Sequence, residues 1–413
     1  MKFTIEKNRL AQSLELVSRG LSRQSTLPVL SGVHINATAD GVVFETSDLE
    51  TSVRHQEDAL IEEPGAIVAP GKLFFDIVKS LPEAAVELAL DSDQLLINCQ
   101  GAHFRVSTMN PIDFPQFPQV VPSRSVELPT TLLQQMVKRV VRSVSRENNR
   151  PVLAGVFFQV EESKLRLVAT DSYRLAISTA DLTQPGTAQA ATSAVKPPAN
   201  ASAGADSVAD SKPDVAASST DAETPATNKP EFATSLEMII PGLLLEDICR
   251  IAGDTASLTI GEAENQIIFR FGSTTFISRK IEGNYPNYEQ IIPTQKTVTV
   301  TVETEVLLSA VKRVSVVAKN NTPVRFLLHP EVQLLEVRAS AQDVGEASES
   351  LVAQIDGEGL EMGFNHQYIL DGLTAADAKE IVFEAQTPVK PGIFKTLDSS
   401  DYFYLTMPVR LDH

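Results

Sequence analysis

The 413-residue sequence contains only two cysteines. Cys99 and Cys249 lie in apolar stretches of different segments, which is typical of a reduced cytosolic protein and excludes a disulfide framework. No spacing typical of metal ligands occurs, and we expect neither a metal ion nor another cofactor. No apolar run is long enough for a signal peptide or a membrane span. We therefore expect a cytoplasmic protein.

Basic residues are also scarce. The 35 lysines and arginines stand against 53 aspartates and glutamates, so the formal net charge is -18. A chain with this charge attracts nucleic acid or an anionic membrane only where its basic residues gather on one surface. We expect no membrane binding, and binding to nucleic acid would require such a basic surface.

Catalytic patterns are missing as well. The six histidines have no partner spacing, and the sequence has no glycine-rich phosphate loop. Carboxylates such as Asp91 and Asp93, or Asp398 and Asp401, fall in turn-like segments, where solvated aspartates are common. The sequence therefore predicts a protein that is not an enzyme.

An internal repeat is the main feature that the sequence does contain. The segment PVLSG at 28–32 returns as PVLAG at 151–155, an offset of 123 residues. TSD at 46–48 returns as ATD at 169–171 with the same offset. Two matches at one spacing indicate a duplicated unit.

A third copy follows, because VKRV at 137–140 recurs at 311–314. From 183 to 231 the chain consists mainly of small and polar residues and has no aromatic side chain. Such a segment cannot bury enough apolar surface to offset its ordering entropy. We interpret it as a disordered, linker-like insertion at about 183–233, with a regulated or partner-binding segment as the alternative. The predicted domains are 1–122, 123–294, which contains the insertion, and 295–413.

Each unit contains two halves with the same pattern. The first half begins with an alternating strand at 3–5 and continues with an apolar stripe at helical spacing: Leu10, Leu14, Val17 and Leu21. The second half has its own helical stripe, followed by strands: Leu73, Phe74, Ile77 and Leu81. The sequence therefore predicts an α+β fold of three similar domains, each made of two strand-helix-strands modules.

Basic residues gather at the first helix of the second domain. The apolar stripe of this helix includes Leu133 and Val137. On another helix face, basic residues follow at i, i+4 and i+8: Lys138, Arg142 and Arg146. Equivalent segments of the other two domains also carry basic residues: Lys7, Arg9, Arg19 and Arg23; Lys312, Arg313 and Lys319. One such helix is usually an ordinary solvated face. Three equivalent segments favour a protein that surrounds duplex DNA without reading its sequence.

Four motifs carry a resemblance to a known family: TLPVL at 26–30, LVATDSYRL at 167–175, GNYPNY at 283–288 and YLTMPVRL at 404–411. Together they resemble the bacterial β sliding clamps, the β subunits of DNA polymerase III and ring-shaped processivity factors of the replicative polymerase. The resemblance covers essentially the whole chain except the insertion. It implies the DNA clamp fold, with helices inside and sheets outside a ring that two protomers form head to tail.

The resemblance also implies three sets of functional residues. A cleft between the second and third domains would capture short linear motifs of the polymerase, the clamp loader and repair proteins. Its expected residues are Leu153, Thr170, Ser172, Tyr173, Arg174, Leu175, Pro286, Gln290, Ile291, Leu405, Met407, Pro408, Val409 and Arg410. The residues expected at DNA are Arg23, Gln24, Lys138, Arg142, Arg146, Arg150 and Lys319. The residues expected at the homodimer interface are Phe104, Val316 and Val317.

Two interpretations of function follow from these observations. The leading one is a processivity factor that encircles and slides on duplex DNA and tethers partners through the cleft. The alternative is a repeated interaction scaffold that does not encircle DNA. For cleft residues such as Leu153, Leu175 and Met407, ordinary core packing is the competing interpretation, because these residue types are usually buried.

Overall fold

The computed structural model describes residues 1–22, 27–147, 149–183, 235–318, 322–342, 344–397 and 401–411. Apart from Thr183, the predicted insertion at about 183–233 lies outside the described residues. The same holds for Arg23, Gln24 and Lys319 of the predicted DNA-contact set.

The described residues form strands and helices in the order that the sequence pattern predicts. The first domain contains β1 (Lys2–Glu6), α1 (Lys7–Val17), β2 (Gly32–Thr38), β3 (Gly41–Ser47), β4 (Thr51–Glu57), β5 (Leu60–Glu63), β6 (Gly65–Pro70), α2 (Gly71–Ser80), β7 (Ala85–Asp91), β8 (Gln94–Cys99) and β9 (Ala102–Ser107). The second contains β10 (Arg124–Pro129), α3 (Thr130–Val140), β11 (Gly155–Glu161), β12 (Lys164–Thr170), β13 (Arg174–Asp181), β14 (Leu236–Pro241), α4 (Gly242–Ala252), β15 (Ser257–Ala263), β16 (Gln266–Phe271) and β17 (Thr274–Arg279). The third contains β18 (Val298–Glu303), α5 (Thr304–Val314), β19 (Val324–His329), β20 (Leu334–Ala341), β21 (Gly345–Val352), β22 (Gln354–Gly357), β23 (Glu361–Phe364), α6 (His366–Ala376), β24 (Glu380–Ala385), β25 (Gly392–Thr396) and β26 (Tyr402–Thr406).

Each helix begins close behind a strand, and three of these strands end in proline: Pro70, Pro129 and Pro241. Proline fixes φ and has no N–H to donate to a strand ladder, so it ends the strand where the helix begins. The helices are amphipathic and turn their apolar residues to the core, as Leu133, Met136 and Val137 do in α3. The predicted α+β fold with paired modules is therefore confirmed. Among the described residues, no helix has the length and apolarity needed to cross a membrane.

The described strands form antiparallel sheets, two of which continue from one domain into the next. The sheet orders are β5-β1-β7-β8-β9, β10-β15-β16-β17-β4-β3-β2-β6, β14-β11-β12-β13-β26-β25-β24-β18-β22 and β21-β20-β19-β23. We call each such domain interface a joint. At the first joint, between the first and second domains, β17 pairs with β4, and Phe276 lies opposite Val53. At the second joint β26 pairs with β13, and Tyr404 lies opposite Ala176. In both joints, the third strand after a domain's second helix pairs with the third strand after the preceding domain's first helix.

The chain leaves each domain in the same way. After the last strand of each domain it returns to the strand that precedes the domain's second helix. The backbone N–H groups of Met109, Ile281 and Val409 donate to carbonyl groups there at 2.8, 3.0 and 2.8 Å. In the third domain this return brings the C-terminal segment over the second joint. The fold therefore places the YLTMPVRL motif beside the loop that follows β12.

The basic stripe of the second domain differs from the prediction. α3 ends at Val140, and a 3-10 turn follows at Val141–Ser143, so Arg142 and Arg146 do not continue the helix face of Lys138. Beyond this turn the N–H of Ser145 donates to the carbonyl of Leu153 at 2.8 Å. The turn buries Val141 and Ser143, so the chain leaves the helix although the apolar periodicity of the sequence continues.

Candidate functional site

A pocket of about 480 Å³ opens at the joint between the second and third domains. It is lined by Tyr173, Thr322, Asn365, His366, Tyr368, Met407, Pro408 and Val409. The ring of Tyr173 is 60% exposed and the side chain of Met407 is 39% exposed, so both present apolar surface to a ligand. Apolar walls with a few polar groups are typical of sites that bind peptide anchors.

The ATD motif builds the turn that presents Tyr173. The Oδ1 atom of Asp171 accepts hydrogen bonds from the N–H groups of Tyr173 and Arg174 at 2.9 and 3.0 Å. Ser172 has a φ of 80°, and its N–H donates to the Thr170 hydroxyl oxygen at 3.1 Å. Asp and Thr side chains commonly stabilise such turns. The turn directs the ring of Tyr173 outward, into the pocket.

The same turn occurs in the first domain. Asp48 accepts hydrogen bonds from the N–H groups of Glu50 and Thr51, and Leu49 has a φ of 74°. The TSD and ATD repeats therefore form the same aspartate-stabilised turn at both joints. The side chains around this turn form the pocket at the second joint.

The C-terminal segment supplies the opposite wall. The N–H of Met407 donates to the carbonyl of Tyr173 at 2.8 Å, and Val409 bonds to Gly363. Residues more than 230 positions apart in sequence thus meet in one pocket. Tyr173, Met407, Pro408 and Val409 of the predicted cleft set lie together in this pocket.

Other residues of the predicted cleft set lie behind the pocket or beside it. Leu153, Thr170, Leu175 and Leu405 are buried. Leu175 and Leu405 are cross-strand neighbours and belong to one apolar cluster with Tyr288. These side chains support the walls, as the core-packing interpretation predicts.

The loop that ends the second domain carries the remaining cleft candidates of that domain. Pro286, Gln290 and Ile291 are exposed on this loop. Pro286 lines a second pocket, of about 560 Å³. Ser172 is exposed and accepts a hydrogen bond from the Arg150 guanidinium at 2.9 Å, and Arg410 is exposed beyond Val409.

Arg174 is the charged centre of the joint. Its side chain is only 10% exposed and pairs with Asp171 at 3.0 Å and with Asp371 at 2.6 Å. Burial acts to lower the pKa of Arg174, but its contacts with Tyr404 and Asp371 outweigh burial and raise the pKa, so the guanidinium stays cationic. The guanidinium carbon Cζ of Arg174 lies 4.5 Å from the centre of the Tyr368 ring. Burial and the nearby Asp171 carboxylate raise the pKa of Tyr368, whose hydroxyl therefore stays neutral.

The candidate DNA-contact residues of the second domain are exposed. Lys138 lies 3.5 Å from Asp377, and Arg142 lies 3.2 Å from Asp371. Arg146 is exposed and has no ion-pair partner among the described residues. Exposed cations of this kind are what an acidic chain needs in order to contact a polyanion.

In the first domain, the described residues of the predicted basic set lie in ion pairs. Lys7 pairs with Glu83 at 2.6 Å, Arg9 pairs with Glu57, and Arg19 lies 3.7 Å from Asp247. Carboxylates from neighbouring segments neutralise these cations, a pairing that the local sequence does not reveal.

The pocket also contains residues that the sequence analysis missed. Asn365, His366 and Tyr368 come from the N-terminal turn of α6, and Asn365 caps that helix by accepting from the N–H of Gln367 at 2.9 Å. Asn365 was the signal available in the sequence, because asparagine is a preferred N-cap residue and marks the start of α6. Within the described residues, no group of three or more His, Cys, Asp and Glu side chains could hold a metal ion.

Three family models match the chain, described as the N-terminal, central and C-terminal domains of the DNA polymerase III beta subunit. They match residues 1–118, 127–211 and 289–410. The chain is also 30% identical to the beta sliding clamp of Bacillus subtilis over 423 aligned residues, which cover 99% of the chain and 100% of the relative. The chain belongs to the β sliding clamp family.

Two further comparisons agree with this membership. The beta sliding clamp of Synechocystis is 31% identical over 426 aligned residues, with both chains fully covered. The crystal structure of the Bacillus subtilis DNA polymerase sliding clamp superposes with a TM-score of 0.84 at 29% identity and covers all of both chains. The protein is therefore a sliding clamp that acts as a DNA polymerase processivity factor, as the leading interpretation predicts, and the scaffold alternative is not favoured.

Proposed function

We propose that two copies of this clamp close head to tail into a ring around duplex DNA. We further propose that the pocket at the second joint captures short linear motifs of the polymerase, the clamp loader and repair proteins. The proposed domain boundaries are 1–122, 123–294 and 295–413. The proposed compartment is the cytoplasm, where the free thiols of Cys99 and Cys249 would stay reduced.

The repeated pairing rule at the two joints carries the ring proposal. In the first domain, the third strand after the second helix is β9. By this rule its partner would be the third strand after the first helix of a third domain, and that strand is β21. Both strands lie at sheet ends within the described residues. One chain uses the rule twice, and a second copy would complete it by pairing β21 of one protomer with β9 of the other.

Phe104 supports this pairing. It is the third residue of β9, as Phe276 is of β17 and Tyr404 is of β26. Phe276 and Tyr404 are buried at their joints, at 0% and 1% exposure, whereas Phe104 is partly exposed. A second copy would bury the ring of Phe104 as the joints bury its two counterparts.

The end of α5 supports an apolar contact at the same place. Arg19 and Arg142 each lie two residues beyond their helix and pair with Asp247 and Asp371 of the following domain. Val316 takes the corresponding position after α5 and is exposed, with Val317 beside it. The proposed protomer joint therefore relies on apolar burial where the two internal joints have an arginine-aspartate pair.

DNA contact is proposed to be sequence-independent and weak. A sliding protein must not pause, so we expect affinities in the non-specific range of about 10⁻⁴ to 10⁻⁶ M at physiological salt, with ring closure supplying retention. The exposed cations of the second domain would contact phosphates.

Neutralising Lys138 and Arg146 tests this contact. We expect the Lys138→Gln, Arg146→Gln variant to bind all duplex sequences more weakly, because each phosphate contact releases counterions. The slope of log affinity against log salt should fall by about 1.8, at roughly 0.9 per contact, measured by fluorescence anisotropy. Lys164→Gln, an exposed lysine on β12, is the matched control. Loss confined to some sequences would contradict sliding.

A further inference from the structure

Arg174 makes contacts that leave little of it for a ligand. Its Nε–H donates to Asp171 at 3.0 Å, one Nη donates to Asp371 at 2.6 Å, and the other donates to the carbonyl of Arg142. One face of the guanidinium covers the Tyr368 ring. Three of its five N–H groups are thus engaged within the protein, and the side chain is mostly buried.

The first joint shows what Arg174 adds to the second. In both joints, an arginine that lies two residues beyond a helix pairs with an aspartate of the next domain. Arg19 pairs with Asp247 and Arg142 pairs with Asp371, and each aspartate is the sixth residue of its domain's second helix. Arg174 is the first residue of β13, and the first residue of β4 is Thr51. Thr51 has no cationic side chain to reach Asp247, and its hydroxyl lies 3.5 Å from the hydroxyl of Ser278. At the first joint a second arginine, Arg250, also reaches Asp247, but it lies on the same helix as that aspartate. Among the described residues, a second arginine that comes from the preceding domain is therefore a feature of the joint that has the pocket.

Asp371 connects this arginine to the pocket wall. It lies on α6, about one turn after Tyr368 and about one and a half turns after the helix start that supplies Asn365 and His366. Both of its carboxylate oxygens accept hydrogen bonds. Oδ1 accepts from Arg142 at 3.2 Å and from Gln367 at 3.0 Å, and Oδ2 accepts from Arg174 at 2.6 Å. On the other side, Arg174 directly follows Tyr173 in the turn. A single side chain thus joins the two walls of the pocket.

We infer that Arg174 is a positioning residue of the pocket: it ties the Tyr173 turn of the second domain to α6 of the third domain and supports the Tyr368 ring, without binding the peptide itself. This inference rests on the proposed capture of peptides by the pocket. It differs from the expectation that the family resemblance gave for Arg174, which was direct contact with the partner.

The test is a double-mutant cycle of Arg174→Gln and Asp371→Asn in the full chain. The probe is a fluorescent peptide with Leu and Phe anchors, together with versions in which each anchor is replaced by alanine. We expect each single variant to bind the peptide about five- to tenfold more weakly, and the double variant to bind no more than about twofold more weakly than either, because coupled residues are non-additive. Arg338→Gln, which removes an exposed arginine paired with Glu336, should leave binding unchanged.

A positioning role also predicts that the factor lost through Arg174→Gln is the same for every peptide version. A loss confined to one peptide version, or a loss in Arg174→Gln with normal binding in Asp371→Asn, would overturn the inference. Thermal unfolding and light scattering of each variant show whether it is folded and assembled. Arg174→Lys keeps the charge but not the forked geometry, and it should restore binding only in part.

Hydrogen exchange without peptide separates this inference from the proposed function. In Arg174→Gln, the amides in the first half of α6 should exchange at least about fivefold faster, because the helix keeps only Arg142 of its two arginine contacts with the second domain. Unchanged exchange would overturn the positioning role. If the wild-type protein fails to bind the peptide, the proposed capture function is wrong, and the exchange rates still decide whether Arg174 holds α6.

Discussion

Replacing Phe104 and Val317 with aspartate is expected to convert the protein into monomers. Each large apolar side chain contributes about 1.5–3 kcal/mol when fully buried, and a closed ring of two protomers contains the joint twice. The variant also places unpaired carboxylates where apolar contact is proposed. We expect the dissociation constant of the dimer to rise at least about 100-fold, which corresponds to about 2.8 kcal/mol.

Light scattering at low micromolar concentration measures this change, with the mass of one chain as the expected result. Ile112→Asp with Val332→Asp is the matched control, because both side chains are exposed apolar residues of the same two domains outside the proposed joint. A folded Phe104, Val317 variant that stays dimeric would show that β9 and the end of α5 do not form the interface.

Replacing Tyr173 and Met407 with alanine is expected to weaken peptide capture by at least about tenfold, equivalent to 1.4 kcal/mol. Both side chains are exposed walls of the pocket, so their truncation removes contact with Leu and Phe anchors and leaves the core intact. Leu175 is unsuitable for this test because it is fully buried, and Leu175→Ala would cost about 2–5 kcal/mol of folding stability.

Isothermal titration with the Leu- and Phe-containing peptide measures the effect, and light scattering checks that dimerisation is unchanged. Leu60→Ala with Val332→Ala, two exposed apolar residues elsewhere, is the control pair. Wild-type affinity in the folded Tyr173, Met407 variant would locate partner capture at another surface.

The fold was predictable because its signals are local and repeated. Apolar stripes at helical spacing gave α1 and α2, and the repeated PVL segments and the TSD and ATD segments identified equivalent positions in successive domains. The end of α3 was not predictable in the same way, because the apolar spacing continues to Val144 while the backbone leaves the helix at Val141–Ser143.

The site was predictable only where a motif carries it. Tyr173 and Met407 lie in motifs of the family, and they meet in the pocket. Asp371 lies 197 positions from Arg174, and nothing in the sequence near either residue reveals that they pair. The burial of Leu175 depends in the same way on the pairing of β13 with β26, which forms only when the third domain packs against the second.

Retention on closed DNA tests the central claim most directly. The protein is assembled on a nicked circular plasmid with the clamp loader and then passed through a gel-filtration column at about 1 M salt, where a Debye length of about 3 Å screens phosphate contacts. A ring that encircles DNA should stay with the circular plasmid and be lost when a restriction enzyme linearises it. Release from the circle at high salt, or equal retention on circular and linear DNA, would contradict encirclement.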